Sequence, residues 1–112
     1  MKITRISVYK KPLSYVGGTY VWGAGNVIDR AMSSVVVIDT DAGISGAGEF
    51  CPCGENYMDA HSEGVEAAAR LIAPKLLGEN PRDIGHIEGI MDKTVGGHGY
   101  AKAPFDLSLI HI

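Results

Sequence analysis

Three aromatic residues lie in loop-like segments, where a folded domain has little packing use for such side chains. Tyr20 and Trp22 lie within the glycine-rich stretch 17–26, and Tyr57 lies in a second loop. Aromatic groups outside a core offer large, rigid contact surfaces, and binding loops are where proteins use them. Ordinary packing and contact with a ligand both remain open for this set. The stretch 17–26 lacks a Gly-Lys-Ser/Thr ending, so a mobile loop is favoured over a phosphate-binding loop.

The titratable residues form no complete catalytic or metal-binding set. Glu49 has the chemistry of a general base, but a lone carboxylate specifies no reaction, so we expect structural hydrogen bonds. His98 lies in a glycine loop that could contact a substrate, yet packed or solvated histidines are the main expectation. Cys51 and Cys53 fall one residue short of Cys-x-x-Cys spacing, and no second pair completes a tetrahedral site. We therefore expect structural or loop thiols.

The composition is that of a folded domain without a nucleic-acid or membrane partner. The chain has 112 residues, of which 46% are hydrophobic and 21% charged, with a net charge of −3. No basic stripe is present for nucleic acid, and no apolar run approaches the roughly 18 residues of a membrane span. No signal-peptide pattern follows Met1, so a cytoplasmic protein is expected. Glycine is the outlier, with 15 residues, about twice the usual share.

Three strands are predicted in the first half of the chain. Residues 2–11 alternate in polarity, and Pro12 is expected to end that strand because proline cannot donate to a ladder. Residues 31–40 are apolar on both faces, which is typical of a central strand covered on both sides. Residues 44–50 are expected to return antiparallel to them. Two glycines in this third strand indicate a bulge or another element packed very close.

Helical periodicity replaces the strand pattern from about residue 59. Apolar residues recur at helical spacing between Val65 and Leu76, and Pro74 is expected to end or kink this helix. Asn80 is the predicted N-cap of a second helix, and a third begins near Tyr100. Strands followed by helices predict an α+β fold, with a three-stranded antiparallel sheet and helices on one face.

In order and spacing, these pieces resemble the N-terminal capping domain of the enolase superfamily, in its mandelate racemase/muconate lactonizing enzyme branch. The resemblance covers residues 1 to about 106 and rests on the opening 1–6, the strand–turn–strand 35–49, the cap helices and Ala-Lys-Ala-Pro-Phe-Asp at 101–106. Pro104 departs from the family's usual small residue and is expected to bend the start of its helix. The resemblance implies a capping domain over 1–98, the start of a linker helix over 99–106, and a (β/α)₇β barrel that this chain lacks.

The resemblance also implies an activity for the full-length parent. In the family a barrel base removes the proton α to a carboxylate, and Mg²⁺, held by acidic barrel residues, stabilises the enediolate. A homo-oligomeric racemase, epimerase, dehydratase or cycloisomerase is thus implied, acting on a small carboxylate such as a proline derivative or amino acid. Catalytic and metal-binding residues are expected in the barrel. By position, the loops 15–26 and 50–57 set specificity, which singles out Tyr20, Trp22, Cys51 and Tyr57.

Two further interpretations concern the chain as written. Residues 107–112 break the family pattern and match the in-frame translation of the transposon adapter end CTGTCTCTTATACACATC, so we expect sequencing read-through there; a natural apolar helix end is the alternative. A fragment of this kind is expected to be inactive and prone to association. The rival function is a free-standing α+β module that binds a small ligand through its aromatic glycine loop.

Overall fold

The computed structural model describes residues 1–112 and has the α+β fold that the sequence predicts. The strands are β1 (Ile3–Ser14), β2 (Tyr20–Trp22), β3 (Asn26–Ile28), β4 (Arg30–Thr40) and β5 (Ser45–Phe50), and the helices are α1 (Ser62–Leu76), α2 (Ile84–Thr94) and α3 (Gly99–His111). A three-stranded antiparallel sheet has the order β1-β4-β5, and β2 and β3 pair separately. None of the helices combines the length and apolar character needed to cross a bilayer.

β4 is the central strand of the sheet, as predicted, but helices cover only one of its faces and not both. Val36 and Ile38 are fully buried in the core cluster, which also contains apolar residues of all three helices. Val35 and Val37 point to the other face and are only half-buried. Because all three helices pack on one side of the sheet, the second apolar face of β4 has no covering layer in this chain.

The first strand is longer than predicted because it passes through Pro12. This residue pairs with Met32, and the ladder continues to Ser14 opposite Arg30. The expected stop at Pro12 was therefore wrong. β1 lies at the edge of the sheet and pairs with β4 only. A proline in it, which has no backbone N–H, therefore interrupts no hydrogen bond to a strand on the other side.

The two glycines of β5 lie where a helix packs very close to the sheet. This is one of the two explanations predicted for them. A Cβ atom added to Gly46 would overlap the carbonyl oxygen of Ser108, and one added to Gly48 would overlap that of Pro104. The Ser108 hydroxyl also donates to the carbonyl of Val36 at 2.7 Å. Glycine at these two positions lets the backbone of α3 lie directly on the sheet.

Residues 107–111 continue α3 without interruption. Leu109 is buried in the core, and the imidazole Nδ1 of His111 accepts a 3.0 Å hydrogen bond from the Ala47 N–H. The last turn of α3 thus packs and bonds like the rest of the helix.

Two helix boundaries differ from the predictions. Pro74 lies inside α1, which continues to Leu76, so it does not end the helix. The predicted N-cap Asn80 was also wrong: its side-chain oxygen accepts from the Arg82 N–H in a local turn. Asp83 caps α2 instead, accepting from the His86 N–H at 3.3 Å.

Candidate functional site

The glycine-rich stretch that we predicted as a mobile loop is a β-hairpin. Tyr20 pairs with Ile28 and Trp22 with Asn26, and residues 23–25 form a 3-10 turn between the strands. Ala24 has φ 61°, in the left-handed region that disfavours a residue with a Cβ atom. A sequence signal for the hairpin was present: β-forming residues flank both sides of Gly-Ala-Gly.

Four ring systems form a continuous row across the hairpin and the loop that follows β5. Tyr15 stacks on Tyr20 with centroids 5.7 Å apart, and Tyr20 stacks on Trp22 at 6.0 Å. Trp22 meets Tyr57 in a T-shaped pair at 6.1 Å. These separations lie in the range of favourable aromatic pairs. We call these four residues the aromatic row; Tyr20 is 48% exposed and Tyr57 57% exposed, so the row offers ring surface to a ligand.

The structure joins the hairpin to residues 51–58, which we call the 51–58 segment. The side-chain amide of Asn56 donates to the Asn26 side-chain oxygen at 2.7 Å, and the Tyr15 hydroxyl contacts the Cys53 sulfur at 3.9 Å. Both segments leave the same end of the sheet, where β1 ends, β4 begins and β5 ends. The two loops singled out from the sequence are therefore one structural unit.

The two cysteines of the 51–58 segment are free thiols. Partial burial raises the pKa of the exposed Cys51 above its usual value, and the neighbouring Glu49 carboxylate and Cys53 raise it further. A raised pKa lowers the fraction of thiolate, which is the nucleophilic form of cysteine. Burial and the contact with Cys53 likewise raise the pKa of the Tyr15 phenol.

The other titratable candidates do not join the aromatic row. Glu49 accepts a hydrogen bond from the buried Ser33 hydroxyl, which is the structural role expected for it. His98 adopts a left-handed conformation with φ 52°, and its Nδ1 lies 3.4 Å from the Tyr100 hydroxyl. It lines a separate cavity of about 260 Å³ with His61 and Tyr100.

A larger cavity of about 540 Å³ lies between α2 and α3 and is also distinct from the aromatic row. The Lys102 ammonium donates to Asp92 at 2.7 Å, whereas the buried Oδ1 of Asp106 has no hydrogen-bond partner. Burial raises the pKa of Asp106, and the carboxylates of Glu88 and Asp92 add to the effect.

Nowhere in the chain do three or more His, Cys, Asp or Glu side chains converge to hold a metal ion, so the residues of this chain do not fit a Mg²⁺ site.

A three-stranded antiparallel sheet, helices on one face and two joined loops at one end define an enolase-type N-terminal capping domain. Residues 23–112 match the family model described as mandelate racemase/muconate lactonizing enzyme, N-terminal domain. The chain therefore belongs to the mandelate racemase/muconate lactonizing enzyme family, as its sequence resemblance predicts.

Similar proteins cover the chain almost completely. It is 42% identical over 108 residues to the cis-3-hydroxy-L-proline dehydratase of Roseibium aggregatum, a match over 96% of this chain and 29% of that protein. A solved mandelate racemase/muconate lactonizing enzyme from Roseovarius nubinhibens superposes with a TM-score of 0.94 at 65% identity, over 96% of this chain and 29% of that one. An enolase-superfamily member from the same organism, solved in complex with magnesium, superposes with a TM-score of 0.86 at 37% identity. That match covers 96% of this chain and 29% of the other.

The chain thus spans less than a third of the length of these relatives. The matches establish family and fold for the capping domain, and the relatives contain a further, larger part.

Proposed function

We propose that this chain is the capping domain of an enzyme that removes the proton α to the carboxylate of a small substrate. The observation that carries the proposal is the joined pair of loops, which presents an exposed aromatic row at one end of the sheet. The family membership and the dehydratase relative support the reaction class. Racemisation, epimerisation and dehydration all begin with the same α-proton abstraction.

The contribution of the capping domain is to exclude water and to select the substrate. An enediolate intermediate is short-lived in water, so a lid that closes over the reacting carbon protects it. In this proposal Tyr20, Trp22 and Tyr57 contact the substrate, and the exposed Cys51 borders it at the start of the 51–58 segment. The Mg²⁺ seen in a solved relative would bind to the rest of the parent protein, since this chain supplies no ligand set for it.

The aromatic row favours a substrate with a cationic nitrogen. The faces of tryptophan and tyrosine attract cations through their ring quadrupoles, and the row supplies both ring types side by side. A proline derivative or a quaternary betaine carries such a nitrogen next to its α-carbon. This is consistent with the hydroxyproline named in the curated relative.

The domain division is also proposed: residues 1–98 form the capping domain, residues 99–106 begin the helix that leads toward the barrel, and residues 107–112 derive from adapter sequence. The full-length parent is proposed to be a cytoplasmic homo-oligomer. The domain division and the oligomeric state rest on the family resemblance described above, and the assignment of residues 107–112 rests on their match to the translated adapter.

Exchange of the α-proton with solvent tests the reaction class. The full-length parent, incubated in D₂O with Mg²⁺ and a panel of proline derivatives, is expected to incorporate deuterium at the α-carbon, followed by proton NMR. Incorporation should stop when EDTA removes the metal. If no carboxylate in the panel either exchanged its α-proton or lost it in an elimination product, the proposal would be contradicted.

A further inference from the structure

We infer that Asn56 is a positioning residue, which holds Trp22 in place by fixing the side chain of Asn26. Its consequence for substrate selection rests on the proposed function, whereas its geometry does not. The inference makes the hairpin and the 51–58 segment a single unit instead of two independent loops.

The side-chain amide of Asn26 is engaged at both ends. Its oxygen accepts from the Asn56 Nδ2 at 2.7 Å, and its own Nδ2 donates to the Gly23 carbonyl at 2.6 Å. An amide that donates through nitrogen and accepts through oxygen has only one orientation that satisfies both partners. Asn56 and the Gly23 carbonyl therefore together fix which way the Asn26 amide faces.

The bond from Asn26 closes the tight turn of the hairpin. Inside that turn Ala24 has φ 61°, and a residue with a Cβ atom keeps this conformation only where its surroundings enforce it. The Asn26–Gly23 hydrogen bond spans the turn from end to end. Loss of Asn56 would remove one of the two hydrogen bonds that hold the Asn26 amide, which weakens a constraint on the strained turn.

Trp22 is the residue that this network controls. It pairs directly with Asn26 in the hairpin register and immediately precedes the turn. A Cβ atom built at Gly54 would lie 3.6 Å from the indole Cη2 atom, so Trp22 also rests against the 51–58 segment. The other polar contact between the loops, from the Tyr15 hydroxyl to the Cys53 sulfur, is long at 3.9 Å. Asn26–Asn56 is thus the one short, directional bond between the two loops.

Trp22 is the only tryptophan of the chain, so its fluorescence reports on its own surroundings. In the 112-residue chain, Asn56→Ala and the near-isosteric Asn56→Asp, which cannot donate, are expected to raise acrylamide quenching of Trp22 about twofold. Glu55→Ala, at an exposed neighbour that makes no side-chain hydrogen bond, is the matched control. Far-UV circular dichroism establishes that each variant keeps its fold. Unchanged quenching in both Asn56 variants would overturn the inference.

A double-mutant cycle in the full-length parent separates positioning from general support. If Asn56 acts through Trp22, Asn56→Ala raises KM in the wild-type background and has little further effect in Trp22→Ala. Additive effects would contradict the inference. Raised quenching in the Asn56 variants, without any dependence of substrate preference on Trp22, would instead leave the positioning intact and refute the proposed role of the aromatic row in substrate selection.

Discussion

The rings of Trp22 and Tyr57 stand perpendicular to each other, with an interplanar angle of 89° and centroids 6.1 Å apart. Trp22 comes from the hairpin and Tyr57 from the 51–58 segment, so this pair and the Asn26–Asn56 bond join the two loops. A T-shaped pair uses the face of only one ring. Aromatic surface therefore remains exposed in the row, and the two joined loops have a defined shape in this domain.

The contact between β5 and α3 predicts a large difference between two kinds of glycine substitution. Gly48→Ala places a methyl group on the carbonyl oxygen of Pro104, and we expect it to destabilise the chain by about 1–3 kcal/mol or more. Gly89→Ala, in α2 with open space around it, should stabilise by about 0.5–1 kcal/mol. Urea unfolding followed by circular dichroism measures both. Equal midpoints for the two variants would show that α3 does not pack as described.

Asp106 predicts a pH-dependent change in stability. Its pKa in the folded chain lies above the ordinary value of 3.8, because of burial and then of Glu88 and Asp92. The folded state therefore binds this proton more tightly than the unfolded state, and the resulting stabilisation is lost as pH rises through the folded pKa. Asp106→Asn should raise the melting temperature by a few degrees at neutral pH, and the gain should vanish below the ordinary pKa.

Asp59→Asn, at an exposed carboxylate, is the control for that experiment. A gain that is the same at every pH, or that appears equally in the control, would mean that ionisation of Asp106 is not its cause.

The absence of a metal-binding cluster predicts that the 112-residue chain is indifferent to magnesium. Its melting temperature should be the same in EDTA and in excess Mg²⁺, because no three ligand side chains converge anywhere in it. Differential scanning fluorimetry is sufficient to compare the two conditions. A clear stabilisation by Mg²⁺ would place a cation site in this domain, contrary to the proposal that the rest of the parent protein binds the metal.

The interpretation of residues 107–112 is tested at the level of DNA. Re-amplification of the locus from its source is expected to give codons that continue in frame past Asp106 with different residues. A genuine stop codon after Ile112 would contradict the adapter interpretation.

Much of the fold was predictable, because long periodic segments determine the three sheet strands and the three helices. The close packing behind Gly46 and Gly48 was also visible, since two glycines in a strand need a reason. Local patterns failed where tertiary context decides: Pro12 is tolerated because its strand lies at an edge, a position that no local pattern reveals. Likewise, Asp83 caps α2 and the predicted Asn80 does not, because the Asn80 side chain accepts a hydrogen bond within the preceding turn.

The aromatic residues of the candidate site could be predicted from the sequence, but their spatial arrangement could not. Tyr20, Trp22 and Tyr57 stand out in the sequence because aromatic residues in loops lack a packing role. Their assembly into one row depends on contacts between segments far apart in the chain, such as the bond from Asn56 to Asn26. Such contacts leave no periodic signal, so the attachment of the hairpin to the 51–58 segment did not follow from the pattern, although the residues around Gly-Ala-Gly did carry a signal for the hairpin itself.

Substrate preference in the full-length parent tests the role of the aromatic row most directly. The measurement is the ratio of kcat/KM for a proline betaine to that for an uncharged hydroxy acid, in wild type, Trp22→Ala and Tyr57→Ala. Loss of a cation–π contact should lower the ratio about three- to thirtyfold in each variant. Tyr9→Ala, at an equally exposed tyrosine on β1, should leave the ratio unchanged. A ratio that is the same in wild type and in both row variants would contradict the account.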